Sequence, residues 1–132
     1  MSRRVEDVLE EARTRIGRVR PPNLEQIIAA GGLVVDIRPE VQRHDEGALP
    51  GAVVIERNVL EWRLDPRGEY RIPEVRDHDQ QVVVVCSAGY ASSLAAASLA
   101  DLGFTRAADL DGGYLAWRAW SGSGAIHSGA GR

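Results

Sequence analysis

Apolar and polar positions alternate in two rhythms along this chain. Val5, Val8, Leu9, Ala12, Ile16 and Val19 recur at three- and four-residue steps, with Glu and Arg on the other face. That spacing predicts an amphipathic helix of about four turns, ended by Gly17 and Pro21-Pro22. Asn23 is placed to cap a short helix through Ile28 that stops at Gly31-Gly32. Then the rhythm changes. Leu33 to Ile37 is a β-branched run that suits a buried strand, broken at Arg38-Pro39. The polar, turn-rich stretch His44 to Gly51 predicts a loop, Ala52 to Ile55 a strand, and Val59 to Leu64 a short helix. Four valines, Val82 to Val85, give the strongest strand signal and lead into Cys86. A helix over Ala91 to Leu102, a weak strand over Ala107 to Leu110 and a last helix opened by Gly112-Gly113 complete the pattern. Short buried strands alternating with helices predict an α/β fold, a small parallel sheet covered on both faces.

Three segments follow from this: an N-terminal helix over residues 1–20, a domain over 21–120, and a Gly/Ser/Ala-rich tail over 121–132 expected to be flexible. The helix stripe must be buried somewhere, because an isolated helix of this length is marginal in water. Its own domain, a second copy or a partner protein could cover it, so a monomer and a homodimer are both open.

With 132 residues, 44% of them hydrophobic, the chain can build one core without staples. A formal charge of −3 argues against nucleic-acid binding through a broad positive field. All 16 basic residues are arginine, which excludes a P-loop lysine, a Schiff-base lysine and a lysine general base. The single cysteine excludes an internal disulfide and a cysteine-rich zinc site. No signal core or membrane span is visible, and a reducing cytoplasm is the expected location.

Chemistry converges on Cys86. It ends the strongest strand, where ligands of open parallel sheets sit. The loop Ser87-Ala88-Gly89-Tyr90-Ala91-Ser92 is small enough to turn successive N–H groups toward one point. Backed by a helix N-terminus, such a nest holds anions and favours thiolate. A buried, inert thiol is the alternative. Cysteine phosphatases place an arginine six residues after the cysteine to grip phosphate oxygens; Ser92 stands there in this chain. His44, His78 and His127 offer no evident partner for Cys86.

Asp36-Ile37-Arg38, Gly47-Ala48-Leu49-Pro50-Gly51-Ala52, Cys86 to Ser93, Gly103-Phe104 and Asp111 to Trp117 occur in one order. Together they resemble a single-domain rhodanese, from about Pro22 to Trp120. The resemblance implies a three-layer rhodanese-like fold with a central parallel sheet of about five short strands and helices on both faces. It further implies a sulfurtransferase in which Cys86 carries a sulfane sulfur as a persulfide between two half-reactions. The donor would be a small sulfur anion such as thiosulfate, or a persulfide. The acceptor would be cyanide, a thiol or a protein sulfur carrier, with no metal or organic cofactor. The competing expectation is a binding or sensing module with negligible turnover. Many rhodaneses carry a basic residue where Ala91 stands and a histidine where Ala48 stands. Arg57 and Arg63 are the candidates to replace the charge missing at Ala91, while Asp36 and Arg38 read as scaffold beside the site.

Overall fold

The computed structural model describes residues 2–122. Five parallel strands form one sheet: β1 (Gly17–Val19), β2 (Leu33–Asp36), β3 (Val53–Val54), β4 (Val82–Val85) and β5 (Ala107–Leu110), in spatial order β1-β5-β4-β2-β3. The valine run takes the centre, with Val83 level with Val34 on one side and Ala108 on the other. Because strand side chains alternate, Val82 and Val84 enter one core and Val83 and Val85 the other. Helices α4 (Leu60–Leu64) and α5 (Ala91–Asp101) cover the first face through Leu60, Leu64, Ala95, Ala96 and Leu99. Helices α2 (Leu24–Ala29) and α6 (Gly113–Gly122) cover the second through Leu24, Ile28, Tyr114 and Leu115. The expected three-layer α/β arrangement is present.

Several boundaries differ from the pattern. The first helix, α1, covers only Val5–Thr14 and packs against α5. Gly17–Val19, expected to close that helix, instead forms the edge strand β1 beside β5. Three residues are too few to display a two-residue period, and Ile16 and Val19 fit a helical step equally well. Residues expected as loop from His44 partly form helix α3 (Glu40–Glu46), which follows Pro39 and ends at Gly47. No residue of α3 is buried, so it carries no apolar stripe to announce it. Asn23 makes no side-chain cap and belongs to a 3-10 turn over Pro21–Asn23. Ser121 and Gly122, expected in the tail, finish α6; residues 123–132 and His127 lie outside the described residues. No described helix is long and apolar enough to cross a membrane.

Candidate active site around Cys86

The carboxyl end of β4 delivers Cys86 to the N-terminus of α5. Its thiol is buried, and two backbone N–H groups, from Gly89 and Ser92, each approach Sγ to 3.3 Å. The Ser92 hydroxyl lies 3.3 Å from Sγ and donates to Asp109 Oδ2 at 2.8 Å. With its proton on Asp109, the Ser92 oxygen accepts from the thiol. Turned the other way, the same hydroxyl donates to a thiolate. Asp109 loses little by that rotation, since Ser93 Oγ (2.7 Å) and Arg18 Nε (3.0 Å) also donate to its carboxylate.

The loop is curled because its carbonyls are held from outside. Tyr114 N–H donates to Cys86 O at 2.8 Å and Leu115 N–H to Ser87 O at 3.1 Å, both from the first turn of α6. In a trans peptide C=O and N–H point opposite ways, so anchoring these carbonyls turns the Ser87 and Ala88 N–H groups away from α6. Two glycines allow the approach. A Cβ on Gly89 (φ +88) would meet Gly112 N at 2.9 Å, and one on Gly113 (φ +68) would meet Ser87 O at 2.5 Å.

A second cluster braces the loop from α3. Arg38 is fully buried; its guanidinium grips Asp36 (2.7 Å), reaches Glu46 (3.2 Å) and Gly47 O (2.9 Å), and lies 3.9 Å over the Tyr114 ring. Asp36 also accepts the Arg38 N–H at 3.0 Å. Burial opposes the Arg38 charge, and the two carboxylates outweigh it, holding the guanidinium above its ordinary range. Glu46 in turn accepts from Ser87 Oγ at 2.8 Å. Ser87 therefore contributes its side chain to α3.

Of the expected loop, Cys86, Gly89 and Ser92 meet directly. Ala88, Tyr90 and Ala91 are exposed on its rim. Arg57 and Arg63 are not brought to it. Arg57 is paired with Glu61 one turn on (3.0 Å), and Arg63 donates to Tyr70 O (2.6 Å). Their places go to two residues that sequence reasoning passed over. Arg13 of α1 and Arg18 of β1 both donate to Gly89 O, at 2.7 and 3.1 Å. No spacing signal links them to Cys86; the packing of α1 on α5 places Arg13, and the pairing of β1 with β5 places Arg18. Trp62 shares a shallow depression with Asp65 and Leu102, at the end of α5 away from Cys86. Trp117 and Trp120 line an apolar groove with Leu24 and Ile28.

A family model described as the rhodanese-like domain matches residues 21–119. Among curated relatives, the thiosulfate sulfurtransferase GlpE of Ectopseudomonas mendocina (strain ymp) is 32% identical over 102 residues, covering 77% of this chain and 84% of its own. The GlpE of Pseudomonas entomophila (strain L48) is 33% identical over 101 residues, covering 76% and 84%. Among solved structures, a protein of unknown function from Rhodopseudomonas palustris CGA009, described as a possible tyrosine phosphatase, superposes with a TM-score of 0.81. It is 30% identical and covers 92% of this chain and 93% of its own. A rhodanese homologue from the extremely thermophilic bacterium Thermus thermophilus gives a TM-score of 0.53 at 29% identity, covering 75% and 98%.

Proposed function

This chain belongs to the rhodanese-like domain family, and from that membership we propose that it is a sulfurtransferase with Cys86 as the sulfur-carrying nucleophile. The observation that carries the reading is the convergence of the Gly89 and Ser92 N–H groups on Sγ. Donors fixed before the reaction stabilise a thiolate without reorganising, and they serve a persulfide anion equally. In the first half-reaction the Cys86 thiolate attacks the outer sulfur of thiosulfate. A Cys86 S–S bond forms, the S–S bond of thiosulfate breaks, and sulfite departs with the electron pair. In the second, cyanide or a thiolate attacks the outer sulfur of the persulfide, and the Cys86 thiolate leaves. The curated relatives named for thiosulfate support that donor class.

The phosphatase description of the R. palustris structure finds no support in this loop. Ser92, where a cysteine phosphatase needs its arginine, faces the carboxylate of Asp109.

Intact mass spectrometry tests the reading. Thiosulfate, or separately a small persulfide donor, should add about 32 Da (one sulfur) to the chain, cyanide should remove it, and the cycle should repeat. Cys86→Ala should take up none. An unmodified mass with both donors would replace the enzyme reading with that of a binding module.

A further inference from the structure

The family model begins at residue 21, yet the Cys86 loop is anchored by two side chains that precede it. Arg13 Nη2 donates to Gly89 O at 2.7 Å and Arg13 Nε to Ser93 Oγ at 3.0 Å; its guanidinium lies 5.7 Å over the Tyr90 ring. Arg18 Nη2 donates to the same carbonyl at 3.1 Å, while its other nitrogens hold Asp109 (3.0 Å) and Asp111 (3.1 Å). Burial opposes the Arg18 charge, but Asp109 and Asp111, with a smaller contribution from Cys86, raise its pKa. Two cations on one carbonyl fix the Gly89–Tyr90 peptide. With that oxygen held by the two guanidinium groups, the Tyr90 N–H of the same trans peptide points away from them.

The two arginines are not equivalent. Two aspartates neutralise Arg18. Among the described residues no carboxylate stands within ion-pair distance of Arg13; Ser93 Oγ, which accepts from Arg13 Nε and donates to Asp109, stands between it and Asp109. Arg13 stands at the rim, against the exposed ring of Tyr90. Neighbouring Ala91 has no charge to offer.

We propose that Arg13 and Arg18 are positioning residues of the Cys86 site, Arg13 supplying the rim charge that draws an anionic reagent to the sulfur. The N-terminal segment is then part of the reaction centre. This inference rests on Cys86 being the reactive group, and its test needs no sulfur donor.

The test compares Cys86 alkylation by neutral iodoacetamide and by iodoacetate. In each, the thiolate displaces iodide from carbon; the reagents are of similar size, one a neutral amide and the other an anionic carboxylate. The ratio of the two rate constants, at low salt and fixed pH, reads the local field and cancels changes in thiol reactivity. Arg13→Gln should lower the iodoacetate-to-iodoacetamide ratio about three- to tenfold. Arg13→Lys, which keeps the charge, should recover most of it. Should Arg13→Gln fail to fold, Arg13→Lys measured at rising salt carries the test, because the ratio should fall with screening.

A merely structural Arg13 would shift the urea midpoint and leave the ratio unchanged, which overturns the proposal. So does an equal fall in Arg71→Gln, whose side chain holds Pro66 O away from the site. Alkylation that proceeds normally while thiosulfate leaves no adduct would sink the sulfurtransferase reading alone. A Cys86 inert to both reagents would remove the premise of both.

Discussion

Replacing Gly113 by alanine separates the support of the Cys86 loop from the loop itself. The new Cβ would stand 2.5 Å from Ser87 O and 2.6 Å from Cys86 O, where ordinary carbon contacts need about 3.5 Å. Relief demands that α6 withdraw from the loop by about 1 Å. That displacement takes Tyr114 N–H (2.8 Å) and Leu115 N–H (3.1 Å) beyond hydrogen-bond range of the two carbonyls. Each lost bond costs about 0.5–1.5 kcal/mol, and holding a non-glycine residue at φ +68 about 1–2 kcal/mol more. The expected destabilisation is about 2–5 kcal/mol in urea unfolding, within the margin of a folded domain. Freed carbonyls can rotate, and with them the Ser87 and Ala88 peptides that lead into the Gly89 N–H aimed at Sγ. A misplacement of this size lowers reaction rates by about 100-fold. Gly122→Ala, at the far end of α6 with no atom of the described residues within 4 Å of the added Cβ, is the matched control and should behave as the parent. A Gly113→Ala protein within about 0.5 kcal/mol of the parent, with unchanged Cys86 alkylation and sulfur transfer, would refute the account of how the loop is held.

Other expectations follow from the same network. Arg38→Met leaves the buried Asp36 carboxylate without its partner and should cost about 3–5 kcal/mol of stability by denaturant titration. Loss of stability below about 1 kcal/mol would mean that Asp36 and Glu46 find other donors. Burial pushes the Glu61 carboxyl up, but the Ser98 hydroxyl and Arg57 outweigh it and hold its pKa below the ordinary carboxylate value. Its folded-state pKa is depressed. The stability it confers is therefore present above the unfolded-state value and is lost as pH falls through the folded one. Glu61→Gln should flatten the acid limb of a stability–pH profile, and a limb of unchanged slope would exclude the linkage.

The sheet was legible where strands are fully buried. Val82 to Val85 and Leu33 to Asp36 declare themselves because both faces are covered, so every position is apolar or paired. Cys86 was legible by its place after such a strand. What the sequence concealed were contacts between distant segments. Arg13 and Gly89 are 76 positions apart, and an arginine on an amphipathic helix reads as solvated surface until the helix is placed. Glu46 was hidden likewise, since α3 has no buried stripe and its one inward-reaching carboxylate meets Ser87 41 positions on. Arg57 and Arg63 attracted attention by proximity to a loop, yet each had a nearer partner on its own segment.

The strand order bears on how a newly made chain reaches this state. Strand β1 precedes the other strands, but its one neighbour among the described strands is β5, some ninety residues later. Strands β2, β3 and β4 can form their ladders before that; β1 must wait for residues 107–110. The helix turn that holds the Cys86 carbonyls is later still, at Tyr114 and Leu115. Pairings across such separations close a long loop and are slow to form. During translation the thiol therefore emerges on a half-built sheet, with neither its arginines nor its outer braces in place. The surroundings of Cys86 close only once residues 107–115 have emerged and met β1.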